Sequence, residues 1–123
     1  MENKLKKLLE EYQDLPEYMD RVLSDVNQIS AFGDRPIHVA AVRGNIEELL
    51  LLYENGADIN AKGEYGYTPL LHAVEQGHID AVKWLIEKGV DTSIRDQTGG
   101  SALDTAELLG HEKIQELLKN AKS

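Results

Sequence analysis

Apolar positions over residues 66–91 fall into two short helical patterns joined by a tight corner. Thr68 stands where a helix N-cap accepts a backbone N–H, and Pro69 fits the first turn, where a missing N–H costs nothing. Gly77 supplies a left-handed stop, so the spacing predicts a first helix of about eight residues. A second helix starts near Ile79, puts Ile79, Val82, Leu85 and Ile86 on one face, and ends at Gly89.

The pattern recurs in both directions at a step of 33 residues. Gly33, Gly66 and Gly99 are in register, as are Gly44, Gly77 and Gly110, the apolar set Ile37, Leu70 and Leu103, and the pair Asp58 and Asp91. A period of this length marks a solenoid, because a single unit is too small to bury its own apolar face and must stack on a neighbour.

The blocks Thr68-Pro69-Leu70, Gly77-His78, Gly56-Ala57-Asp58-Ile59-Asn60-Ala61 and Pro36-Ile37-His38-Val39-Ala40-Ala41 resemble the ankyrin repeat. The resemblance runs from Gly33 to about Leu118 and implies an all-α solenoid of helix-turn-helix units, with finger loops on one side and degenerate caps at both ends. In that family a Thr hydroxyl and a His ring share a bond within T-P-L-H. Here Arg35 accompanies His38, Thr68 accompanies Leu71, and Ser101 accompanies Asp104, so no unit can make it and some polar ordering between repeats is expected to be lost. Gly63 replaces the finger aspartate, which implies a looser second finger.

Before Gly33, Leu5, Leu8, Leu9 and Tyr12 form one helical stripe and Met19, Val22, Leu23 and Val26 another, predicting two helices separated near residues 14–16. Ser24-Asp25-Val26-Asn27 lies 33 positions before Ala57-Asp58-Ile59-Asn60, which makes residues 1–32 a degenerate N-terminal cap unit. Residues 33–65 and 66–98 are then full repeats, and 99–123 a C-terminal cap repeat, all in one domain. Trp84 falls within the apolar set of its outer helix and reads as core.

Composition narrows the partners. A formal charge of −9 repels phosphate backbones and anionic lipid and favours a basic partner, while no run of residues is apolar enough for a membrane or a secretory leader. Without such a run the expected location is the cytoplasm; zero cysteines exclude disulfides and thiolate metal sites and fit a reducing compartment. His78 and His111 occupy the family's G-H position, where the ring bonds backbone, and His38 occupies the T-P-L-H position, so these three read as structural. His72 has no nearby metal-ligand or triad partner, no carboxylate pair forms an acid/base arrangement, and residues 63–66 lack the Gly-Lys that a phosphate loop needs. Neither an enzyme nor a cofactor is expected.

What remains is an open surface. In ankyrin proteins partners lie against the concave side, formed by finger tips and the ends of inner helices. Carried over position by position, this points to Phe32, Asp34, Glu64, Tyr65, Tyr67 and Thr98 on the fingers, and to Arg43, Glu75 and Gln76 on the helices. Phe32, Tyr65 and Tyr67 are the expected anchors, since aromatic rings bring large contact area at low entropy cost. The sequence thus predicts a stoichiometric binder of a basic protein, monomeric when free. An inhibitor such as an immunity protein that neutralises a toxin is one use of such a scaffold; an adaptor or kinase-inhibitor-like regulator of a cytosolic enzyme, or a self-associating structural protein, are the others.

Overall fold

The structure, a computed structural model, describes residues 2–121. Seven α-helices and no strand occur among them: α1 (Glu2–Gln13), α2 (Pro36–Arg43), α3 (Ile46–Glu54), α4 (Pro69–Glu75), α5 (Ile79–Glu87), α6 (Ala102–Leu109) and α7 (Glu112–Asn120). None of these helices is long and apolar enough to cross a membrane.

The start of each inner helix follows from its capping residue. Thr68 Oγ1 accepts the Leu71 N–H at 3.2 Å, and Ser101 with Asp104 forms a reciprocal capping box. No hydroxyl is present at Arg35, and there the His38 ring does the capping: Nδ1 accepts the Arg35 N–H at 2.8 Å. Its Nε2 reaches forward to the Ala61 carbonyl at 2.7 Å. The expected loss of polar ordering between repeats therefore applies at the buried Leu71 but not at His38.

Helices α2, α4 and α6 pack side by side as an inner layer, with α3, α5 and α7 as an outer layer and α1 laid against α3. Ala40, Ala41, Ala73 and Ala106 are fully buried where the inner helices approach, and Leu49, Leu52, Val82, Leu85 and Ile114 fill the space between layers. Each fully buried Val, Leu or Ile side chain contributes on the order of 1.5–3 kcal/mol. Trp84 is half-buried, edge-on to Tyr53 at 5.7 Å between ring centroids.

A ladder of asparagines ties the return loops. Asn27 Oδ1 accepts the Asp58 N–H at 3.0 Å, and Asn60 Oδ1 accepts the Asp91 N–H at 2.9 Å. The segment before Gly33 thus makes the same bond as the following unit, one period earlier.

The second helix expected before Gly33 does not form. After the 3-10 turn Pro16–Tyr18 the chain runs irregularly, leaving Met19 and Val22 exposed while Leu23 is buried. Side chains take the bonds a helix would have made: Gln13 Nε2 donates to the carbonyls of Tyr18 and Arg21, Gln13 Oε1 accepts the Leu23 N–H, and Gln28 bridges Val22 O and Ser24 N. Such side-chain to backbone bonds compete directly with helical ones.

Candidate functional site

Three fingers project from the stack, each closed by one backbone bond in the same register. Ser30 N–H donates to Asp34 O at 2.7 Å, Gly63 N–H to Tyr67 O at 2.7 Å, and Asp96 N–H to Gly100 O at 2.9 Å. Gly33, Gly66 and Gly99 all have positive φ, as their turn position requires.

The second finger is not loosened by Gly63. Asp34 reaches across from the first finger, and its Oδ1 accepts the Glu64 N–H at 2.9 Å. A Cβ at position 63 would lie 2.2 Å from that same oxygen, so glycine is what lets the carboxylate enter. The backbone bond from Gln97 N–H to Tyr65 O, at 3.0 Å, then fastens the second finger to the third. In the third finger Asp96 does the holding itself: Oδ1 accepts from Thr98 N–H, Thr98 Oγ1 and Gly100 N–H, and the Thr98 hydroxyl foremost keeps its carboxyl below the usual range.

Between the second and third fingers lies a concavity of about 490 Å³ lined by Glu64, Tyr65, Tyr67, His72, Glu75, Asp96, Gln97 and Thr98. Five of the residues expected at the binding surface meet here. Tyr67 donates its hydroxyl proton to Glu75 Oε2 at 2.8 Å, and that bond, with burial and the Glu75 charge, pushes the phenol up to about 12. Tyr65 is 66% exposed and holds a left-handed backbone, φ +59° and ψ +18°, that bulky L-residues rarely adopt.

The other expected contacts are placed elsewhere. Arg43 lies over the Tyr12 ring, 5.0 Å from its centroid, and pairs with Glu48 at 3.1 Å, so it is tied to α1 and α3. Tyr12 donates to the same Glu48 carboxylate. Asp34 is turned inward as a finger clamp. It sits 4.0 Å from His38 Nδ1, yet this is no ion pair, because burial lowers the His38 pKa and Nδ1 already accepts the Arg35 N–H. Phe32 is exposed at the tip of the first finger, and Gln76 is exposed at the C-cap of α4, both outside the concavity.

Three lining residues are not among the contacts named from the sequence: Gln97, next to Thr98 on the third finger, Asp96 and His72. Asp96 occupies the finger-aspartate position of the repeat pattern, one period after Gly63, and could have been found from that register. His72 follows the T-P-L-H position by one residue. Its ring stands 5.0 Å from Tyr67 and 5.9 Å from His38, and Nε2 is shielded from solvent with no hydrogen-bond partner among the described residues. Burial, and secondarily the His38 ring, push its pKa down. Nothing in the local sequence of His72 announces this environment.

The remaining histidines bind backbone or pack on it. His78 Nε2 contacts Val42 O at 2.7 Å over Gly44, and the His111 ring packs over Gly77. No group of three or more His, Asp or Glu among the described residues is arranged to hold a metal ion.

The family model described as ankyrin repeats, in three copies, matches residues 2–96 and 66–123. No curated protein matches the chain. Helix pairs at a 33-residue step, fingers closed in register and a family match running from residue 2 to residue 123 agree. The chain belongs to the ankyrin repeat family, and its stack is a protein–protein interaction module.

Proposed function

We propose that the protein is a non-catalytic, stoichiometric binder of a basic protein, and that it acts by masking that partner, as an immunity protein masks a toxin. The supporting observation is the concavity between the second and third fingers, where Tyr65 and Tyr67 stand beside the carboxylates of Glu64, Glu75 and Asp96 and, among the described residues, no lysine or arginine lines the wall. The exposed Tyr65 ring and the half-buried Tyr67 ring supply contact area, and the unbalanced charge steers a cationic surface toward them. Tyr65 is also held in an unfavourable backbone conformation, which costs roughly 1 kcal/mol or more and is characteristic of residues retained for contact rather than for the fold.

The test is a titration. The partner is recovered on immobilised protein from the source cell, purified, and its own activity followed as this chain is added. Masking requires activity to fall linearly and to end at one equivalent. A partner that stays active when saturated would make the chain an adaptor instead. Self-association draws on a separate observation, the exposure of Leu108 (85%) and Leu109 at the end of α6, and a mass that rises with concentration in sedimentation would favour it.

A further inference from the structure

The concavity has the chemistry of a receptor for one particular side chain. Three carboxylates approach it from three elements: Glu64 from the second finger, Glu75 from α4 and Asp96 from the third finger. Their hydrogen-bonding capacity is only partly used. Tyr67 occupies Glu75 Oε2, and the third finger occupies Asp96 Oδ1, which leaves the other oxygen of each without a hydrogen bond among the described residues. No hydrogen bond from the protein reaches the Glu64 side chain among the described residues, and no Lys or Arg lines the cavity to neutralise the charge.

Two features separate this cavity from an ordinary acidic surface. Tyr65 and Tyr67 are among its lining residues, and aromatic faces attract cations, guanidinium more often than ammonium. The cavity is also lined by His72, whose Nε2 is withdrawn from solvent and has no hydrogen-bond partner among the described residues. That ring adds no positive charge to oppose a cation, because burial and the neighbouring His38 disfavour its protonation more than Asp34 and Glu75 favour it.

We propose that this concavity is a socket for a single arginine side chain of the partner, its guanidinium laid against the Tyr65 and Tyr67 rings and forked onto the free oxygens of Glu75, Asp96 and Glu64. A planar ion with five donors suits acceptors arriving from several directions and stacks on a phenol ring. A lysine ammonium is a more strongly hydrated point charge that does neither as well. This rests on the reading of a basic protein partner but names the group that is recognised.

The socket is tested on the free chain, without the partner. Arginine amide, lysine amide and citrulline amide are titrated separately into isotopically labelled protein, and amide and ring shifts are followed by NMR. Arginine amide should move the signals of Tyr65, Tyr67, His72, Gln97 and Thr98 together. With the α-amine of each probe acetylated, lysine amide should bind about threefold more weakly, and citrulline amide, whose side chain is an uncharged isostere, should leave them in place. Tyr65→Ala should weaken arginine amide by about threefold, and Glu75→Gln should weaken it while retaining a Tyr67 hydroxyl acceptor. Each variant keeps the parent's spectrum elsewhere as proof of folding. Equal shifts with arginine and lysine, spread over the acidic surface, would overturn the proposal, and so would arginine amide leaving the cavity unmoved. Either outcome would leave the masking titration untouched, so the two readings fail separately.

Discussion

Three glycines end the inner helices in one conformation and differ only in what lies over them. Gly44, Gly77 and Gly110 have φ of +66°, +73° and +74°. A Cβ on Gly110 would meet nothing within 4 Å; on Gly77 it would lie 3.2 Å from His111 Cε1; on Gly44 it would lie 2.4 Å from His78 Cγ. Gly110→Ala therefore carries only the left-handed penalty, about 1 kcal/mol. Gly77→Ala needs the His111 ring to yield by a few tenths of an ångström and should cost about 1–2 kcal/mol. Gly44→Ala must expel the His78 ring. It loses the bond to Val42 O, worth about 1 kcal/mol, and adds roughly 1–3 kcal/mol of overpacking, for about 3–5 kcal/mol in all. Urea unfolding with unchanged m-values reads the three losses directly. The decisive control is Gly44→Ala with His78→Ala: removing the ring removes the clash, so the double variant should be more stable than Gly44→Ala alone. Equal midpoints for the three alanine variants, or a double variant worse than either single one, would refute the crowding argument.

Asp34→Ala strips the Glu64 N–H of its carboxylate acceptor and should cost about 1–3 kcal/mol, with faster amide exchange at Glu64, whereas Asp34→Asn keeps an acceptor and should stay near the parent; an unchanged exchange rate in Asp34→Ala would remove the clamp. Tyr65→Asn relieves the left-handed strain and should raise stability by up to about 1 kcal/mol while weakening the partner, so a lower melting temperature would contradict it. Burial keeps the pKa values of His38 and His72 below the ordinary histidine value, so below about pH 6.5 the unfolded chain takes up protons that the folded chain refuses. Stability should then fall with pH by up to ~1.4 kcal/mol per pH unit for each ring, while Glu17, raised by its burial, acts in the opposite sense at lower pH. Urea midpoints that do not change between about pH 7.5 and about pH 5.5 would show that neither ring is buried neutral.

What could be read from the sequence and what could not divides along chain separation. Helix starts at Thr68 and Ser101 and stops at Gly44 and Gly110 depend on residues within four positions of one another, and the repeat multiplies each such signal, so the stack follows from its local grammar. The stripe Met19, Val22, Leu23 and Val26 had the same helical period, yet periodicity records only where apolar groups recur. It carries no information on whether Gln13 and Gln28 will take the backbone bonds first, and with those side chains in place the irregular path is the satisfied one.

The candidate site divides in the same way, with a consequence for how binding surfaces are inferred from repeats. Register alone assigned Asp34, Arg43, Glu64 and Glu75 one status, that of exposed charges on a concave face. Contacts that register does not record separate them: Asp34 is consumed by the distant Glu64 N–H, and Arg43 stacks on the distant Tyr12 and pairs with the nearby Glu48, which Tyr12 also engages. Removing either side chain would disturb a finger or the seat of α1 before it disturbed a partner. Glu64 and Glu75 retain unused oxygens beside Tyr65 and Tyr67, and Asp96 joins them because the finger that it braces brings it there. A binding defect in Asp34→Ala or Arg43→Ala would therefore be evidence about folding, whereas a defect in Glu75→Gln with the helix content intact would be evidence about the interface. Circular dichroism beside every affinity measurement tells the two apart.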